Sequence, residues 1–341
     1  MPQKVYVHGF PGLYGGAQTE LAHQIPIWQR LGLEVHLIPS QSGYEQEPML
    51  PELVRSGIHV HERDQFEIIE RGAPVLGFCS RNFLRSLDLI RRFSTNTVFV
   101  NCMTWLFEEE KIRQAQGKIR AFLYQNEDVR RFRAPELRAL NRSSGAKFLS
   151  FVPYFDSSRF PFASRGPREF FGCGRISRQD QDKYTTWTND VYERFVSPKP
   201  KVGLYLGFDG RSARKTGRPP RWITTARDHR EISQQDFYRL AEIVLQPTDT
   251  VENWPRVGLE AMASGSVLIV DKRGGWMRMI EHGRTGFLCS CPRDFIYYAS
   301  KMAYEPEARN EIARRALRRG QELSGEEPSK KSWKEVFEYI V

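Results

Sequence analysis

The chain reads as an α/β protein of two doubly wound domains. Three observations predict this: strand and helix signals alternate along most of its length, the alternation occurs as two series, and a Pro-, Ser-, Phe- and Arg-rich junction over 153–167 separates them. A length of 341 residues accommodates two hydrophobic cores better than one.

In the first series, alternating apolar residues predict strands over 4–8, 34–38, 74–78, 97–101, 121–124 and 148–152. Between the first two, Leu21, Ala22, Ile25, Trp28 and Leu31 mark one face of a helix over 19–31, and Gly32 ends it. The second series predicts strands over 170–173, 202–206, 222–225, 243–246, 267–270 and 286–289, with helices over 235–241, 257–264 and 293–303. Strands joined through helices imply parallel sheets covered on both faces. The expected division is an N-terminal domain over 1–160, a C-terminal domain over 168–325 and a helix over 326–341, for which a return to the N-terminal domain is left open. Trp333, Val336, Phe337 and Ile340 supply the apolar face of that last helix.

Composition narrows the class. An apolar fraction of 40% and generous aromatic content exclude large-scale disorder. No run of about 18 apolar residues is present, so no membrane-spanning segment is expected. The N-terminus runs straight into a strand without an apolar signal core, which reads as cytoplasmic. Cys79, Cys102, Cys173, Cys289 and Cys291 lack metal-finger spacing and read as reduced thiols. The net charge of +10 points to anionic partners without choosing among nucleotide diphosphate, lipid phosphate, membrane surface and nucleic acid.

Three constellations carry chemistry. Gly9 to Gln18, with the pair Gly15-Gly16, lies between the first strand and the first helix, where backbone amides and a helix N-terminus suit an anion. Neither standard nucleotide fingerprint fits its spacing. Next, Gly174-Arg175-Ile176-Ser177-Arg178 ends a strand and is followed by Lys183. Arg175 is expected at the rim, where its fork of donors grips phosphate, with Lys183 adding a second charge. Last, Glu252 lies before a helix that contains Glu260, and the segment between them, Asn253-Trp254-Pro255-Arg256-Val257, presents amides at a helix N-terminus. Such carboxylates suit sugar and ribose hydroxyls.

Together these features resemble the family-4 glycosyltransferases of the GT-B fold. The E-x7-E pattern is Glu252 and Glu260, followed by Ala261-Met262-Ala263-Ser264-Gly265. Pro247-Thr248 precedes it, and Gly274-Gly275, Glu281, Gly283 and Gly286-Phe287-Leu288 follow. The resemblance implies two Rossmann-like domains facing each other across a cleft, and retaining, metal-independent transfer from a nucleotide sugar, UDP- or GDP-linked. It implies that Arg175 and Lys183 hold the diphosphate, with Arg178 able to substitute, that Glu252 contacts the donor sugar and that Glu260 contacts the ribose. Gly15 and Gly16 match the family's N-terminal glycine pair. The sugar nucleotide is a substrate; no cofactor and no metal ligand are expected.

One departure concerns the family's N-domain His. No His occurs between His61 and His229, so Asn101 or Thr104 is expected to take its place. The acceptor implied is a saccharide, a lipid-linked group or a small molecule. Two basic segments keep a hydroxylated base in DNA open as an alternative: a loop over 209–221 with Arg211, Arg214 and Lys215, and Arg130-Arg131 beside Phe132. The first could also steer a lipid-linked phosphate, and the second could also meet an anionic membrane surface. A non-catalytic GT-B protein that binds sugar nucleotide or nucleic acid is the third reading.

Overall fold

A computed structural model describes residues 2–12 and 16–340. The chain divides into two compact units, Met1–Phe155 with Ser324–Val341, and Asp156–Leu323.

The first unit is built on seven parallel strands: β1 (Lys4–His8), β2 (Glu34–Ile38), β3 (His59–Val60), β4 (Val75–Phe78), β5 (Thr97–Asn101), β6 (Ala121–Tyr124) and β7 (Lys147–Ser150), in the order β3-β2-β1-β4-β5-β6-β7. Strand alternation sorts its interior into two cores. Val5, Val7, Val98, Val100, Ala121 and Leu123 face one way, against Leu21, Ile25 and Trp28 of helix α1 (Gly16–Arg30). Tyr6, Phe99, Phe122 and Tyr124 face the other, against Phe83, Leu84 and Leu87 and against Leu137. A strand buried on both faces has no solvent side, and this is why these segments read as continuous apolar runs. The two-residue β3 carries no such run.

Helices α2 (Leu50–Arg55), α3 (Arg81–Ile90), α4 (Glu108–Ala115) and α5 (Glu127–Leu140) complete the crossovers of this unit. The Ser80 side chain caps α3 by accepting from the Phe83 N–H, and the Asn126 side chain caps α5.

The second unit holds six parallel strands: β8 (Phe171–Ile176), β9 (Lys201–Leu206), β10 (Ile223–Ala226), β11 (Ile243–Gln246), β12 (Val267–Asp271) and β13 (Phe287–Cys289), in the order β10-β9-β8-β11-β12-β13. Its helices are α6 (Thr188–Arg194), α7 (Gly210–Thr216), α8 (Gln234–Leu240), α9 (Arg256–Ser264), α10 (Trp276–Met279), α11 (Pro292–Tyr304) and α12 (Pro306–Ser324). The order of strands reverses between β8 and β11, and doubly wound sheets bind ligands at the carboxyl ends of the strands at such a reversal. Cys173 and Cys289 are buried in this unit's core. Among the described residues no helix is long and apolar enough to cross a membrane.

The boundary between the units falls inside the junction expected over 153–167. Beyond Phe155 the junction is packed, and one expectation about a second segment needs correction. Arg165 is buried, and its guanidinium caps the carbonyl end of α8 through Arg239 O at 2.7 Å and Ala241 O at 3.3 Å. The basic segment 209–221 is not a loop throughout. Asp209 caps α7 by accepting from the N–H groups of Arg211 and Ser212, so the Arg-rich stretch folds as a helix.

The last helix, α13 (Glu326–Ile340), belongs to the first unit. Trp333 is fully buried there, lies 5.0 Å from Trp28 in a T-shaped pair, and donates from its indole nitrogen to Gln24 Oε1 at 2.8 Å. Trp333→Ala should therefore lower stability by about 3–5 kcal/mol, read by urea denaturation. A loss below 1 kcal/mol would show that α13 is not part of that core.

Candidate functional site

The carboxyl ends of β8, β11 and β12 bring the motif residues of the second unit together. β8 delivers Arg175, and the turn at Gln181–Lys183 then carries Lys183 back, so that its Nζ lies 2.6 Å from Glu252 Oε1. Both side chains are mostly shielded, at 13% and 15% exposure, although 69 residues separate them in sequence. The turn is tied to the loop after β11: the Asp182 carbonyl accepts from the Asp249 and Thr250 N–H groups, each at 3.0 Å.

Arg175 corrects the expectation of an exposed phosphate-gripping residue. It has no solvent exposure, because its guanidinium is spent inside the protein. It donates to the carbonyls of Lys183 and, at 3.4 Å, Pro247, and stacks over the Tyr184 ring with its carbon 3.5 Å from the centroid. It is thus a clamp on the Lys183 turn. Arg178 is exposed and lies 3.0 Å from Asp180.

The Pro247-Thr248 corner is fixed by Asp271, which accepts from the Thr248 N–H at 2.9 Å and hydroxyl at 3.0 Å. Burial pushes the Asp271 carboxyl upward, while Thr248, Arg273 and Arg175 pull it back. Beyond the corner, Asn253, Pro255 and Arg256 are buried, Trp254 and Val257 are half-buried, and Pro255 occupies the residue before α9 without a side-chain cap. Glu260 lies in α9 with 5% exposure; the Tyr238 hydroxyl donates to its Oε2 at 2.9 Å. Burial raises the Glu260 carboxyl, with Tyr238, Arg256 and Arg159 opposing. The sequence offered no signal for Tyr238 as the partner of Glu260, because the contact joins two helices 22 residues apart.

The glycines around this loop have a steric reason. The Gly275 N–H donates to the Glu252 carbonyl at 2.7 Å, and a Cβ on Gly275 would collide with the Asn253 carbonyl. A Cβ on Gly274 would lie 2.5 Å from the Glu252 oxygen, and its φ of +57° favours glycine as well. Gly258 meets the Met279 sulfur in the same way, and Gly265 ends α9 in the left-handed region. Gly275→Ala should therefore cost about 1–3 kcal/mol by forcing the Glu252–Asn253 backbone to move. Urea denaturation measures it, and an unchanged midpoint would contradict the packing.

The remaining candidates are dispersed. Arg211 lies 2.8 Å from Asp209 and donates to the Gln179 carbonyl at 3.0 Å; Lys215 lies 2.7 Å from Asp249; Arg214 is exposed. In the first unit, Arg130 and Arg131 both pair with Glu127, at 2.7 and 3.1 Å. Gly16 opens α1, whereas Gly15 lies outside the described residues. A polar hollow of about 300 Å³ sits beyond the carboxyl ends of β2, β3 and β4, lined by Ser40, Arg63, Asp64, Asn82, Arg85 and Ser86.

Asn101 does not fit the role given to it. It is fully buried, its amide donates to Glu110 Oε2 at 3.0 Å and Trp105 O at 3.1 Å, and its oxygen accepts from the Met103 N–H at 2.7 Å. These bonds build the turn into α4 and use both amide hydrogens, and the buried side chain has no surface to offer a sugar. Thr104 is half-buried, and its carbonyl accepts from Arg133 at 2.9 Å.

Burial raises the Glu110 carboxyl from its ordinary 4.5 to about 8, against hydrogen bonds from Phe107 N–H and Asn101. Between these values the folded chain holds a proton that the unfolded chain has released, so stability falls as pH rises through the window. Glu110→Gln keeps the shape without the titration. The stability of the variant relative to wild type should grow from pH 5 to pH 8, read as Tm; a constant difference would contradict the neutral carboxyl.

Comparison with known proteins adds to this geometry. The sequence model described as "Glycosyl transferases group 1" matches residues 229–319, the segment that contains Glu252 and Glu260. A lipopolysaccharide 1,2-N-acetylglucosaminetransferase of Salmonella typhimurium is 31% identical over 83 residues, which are 24% of this chain and 22% of that enzyme. Among solved structures, HepE of Anabaena in complex with UDP has a TM-score of 0.72 at 14% identity, covering 99% of this chain and 100% of that one. A glycosyltransferase from Rickettsia africae has a TM-score of 0.74 at 12% identity, covering 100% and 99%. The protein has the two Rossmann-like domains of the GT-B fold, and a segment of its C-terminal unit matches the group 1 glycosyltransferase model.

Proposed function

We propose that the protein is a cytoplasmic glycosyltransferase of the family-4 type. It moves a sugar from a UDP- or GDP-sugar, with retention and without a metal ion, to a hydroxyl of a saccharide, lipid-linked or small-molecule acceptor. The observation that carries this reading is the Lys183–Glu252 ion pair. It sits at the carboxyl end of the second sheet, beside the strand reversal and immediately before α9. The segment match and the UDP complex of HepE support it.

On this reading Lys183 exchanges Glu252 for the donor diphosphate, and Glu252, released, accepts from sugar hydroxyls. The amide end of α9 and exposed Arg178 add positive potential toward the departing phosphate, where charge builds as the glycosidic bond breaks. Glu260 accepts from the ribose, oriented by Tyr238. Arg175 acts through Lys183 as a positioning residue. The polar hollow with Arg63 and Arg85 would receive the acceptor. A DNA acceptor draws less support, because Arg211, Lys215, Arg130 and Arg131 already have internal partners.

Thermal shift and calorimetry against UDP-, GDP- and ADP-sugars test the assignment. A UDP- or GDP-sugar should stabilise the wild type and be hydrolysed slowly. Glu260→Ala should weaken nucleotide binding by about 1–3 kcal/mol, or roughly fivefold to 150-fold, through loss of a hydrogen-bonded ribose contact. Unchanged affinity would overturn the role of Glu260. No response to any sugar nucleotide would overturn the enzyme reading, and binding without turnover would favour the non-catalytic one.

A further inference from the structure

The edge of the first sheet gathers four residues with metal-ligand chemistry on one face. In β2, alternation places Glu34 and His36 on the same side. The parallel register sets His36 opposite His59 of β3, and His61, just past the strand, also reaches His36. The three imidazoles stack, with ring centroids 4.6 Å apart for His36 and His59 and 5.2 Å apart for His36 and His61. Glu34 Oε1 lies 2.9 Å from His36 Nε2 and 3.2 Å from His59 Nε2, and all three ligand atoms fall within 4.8 Å of one another.

A tetrahedral ion with bonds of about 2.05 Å holds its ligands roughly 3.3 Å apart. The carboxylate–imidazole separations already lie near that value. We infer that Glu34, His36 and His59 form a binding site for a borderline divalent transition ion, of which Zn²⁺ is the probe. The nitrogen-rich donor set favours such an ion over Mg²⁺ or Ca²⁺, which prefer all-oxygen cages.

The surroundings fit this use. His36 is buried, and its Nδ1 lies 2.9 Å from His61 Nε2, the kind of second contact that fixes the tautomer of a ligating imidazole. Tyr6 stacks on His36 at 4.7 Å and holds the ring in place. Glu34 and His59 are exposed, which leaves a path for the ion and open positions for water. Lys4 faces Glu34 across the ladder, and its ammonium is engaged by Glu70, which offsets the nearest repelling charge. Zn²⁺ here would join β2 to the two-residue edge strand β3 and so close one margin of the sheet. The site shares no residue with the proposed donor site and does not depend on that assignment.

Calorimetric titration of the full chain with Zn²⁺ at pH 7.5 tests the inference. The background is Cys291→Ser, which removes the exposed thiol as a competing ligand. One equivalent should bind and raise Tm, and Co²⁺ in its place should give the visible band of a nitrogen–oxygen site. The paired substitution Glu34→Ala with His59→Ala, both at exposed positions, should abolish the binding while leaving the metal-free Tm and circular dichroism unchanged. His61→Ala should weaken it about tenfold or more. Absence of a one-equivalent site, or binding that survives the paired substitution, would overturn the inference.

Discussion

A guanidinium with no access to water must find its acceptors inside the protein, and Arg175 finds them in two carbonyls that the sequence keeps far apart. By donating to Lys183 O and Pro247 O it joins the turn after β8 to the corner after β11. The Tyr184 ring covers its face, and Asp271 supplies a compensating charge nearby. With that corner fixed, the Lys183 ammonium meets the Glu252 carboxylate. The candidate donor site is therefore the solvent-shielded mouth of a strand reversal whose geometry is set by one buried cation.

The same loop is shaped from below by absence of side chains. Gly274 and Gly275 let one backbone pass directly under Glu252 and Asn253, and Gly258 lets α9 settle onto Met279 and Trp276. A β-carbon at any of these positions would lift the loop and move Glu252 away from Lys183. The spacing of the motif thus has a packing reason that is independent of any ligand. Its polar residues remain available for chemistry because glycines and buried cations carry the structural role.

Much of the fold was legible in the chain. Strands such as Val98-Phe99-Val100 and Ile243-Val244-Leu245 announce themselves as apolar runs because both faces are covered. The helix stripe of Trp333, Val336 and Phe337 was legible for the opposite reason: only one face of α13 is buried, so its apolar residues recur at helical spacing. What escaped were features that depend on tertiary partners. A basic segment became α7 through one capping Asp, and β3 exists only through its register with β2. In the candidate site, Glu252 and Glu260 were named from their spacing and Lys183 as a cation following the Gly174-Arg175 strand end, but Arg175 was expected at the rim because its strand ends there, and its inward partners lie too far along the chain to be read. Asn101 was named by position along its strand, and only the structure shows its amide engaged with Glu110.

The most direct test of the central claim is the phosphorus NMR spectrum of UDP-glucose and GDP-mannose titrated with the full chain. The account predicts that one donor's β-phosphorus resonance shifts or broadens with the wild type, and that Lys183→Ala removes most of this effect without unfolding the protein. A wild type that leaves both spectra untouched, or a Lys183→Ala chain that perturbs them equally, would contradict it.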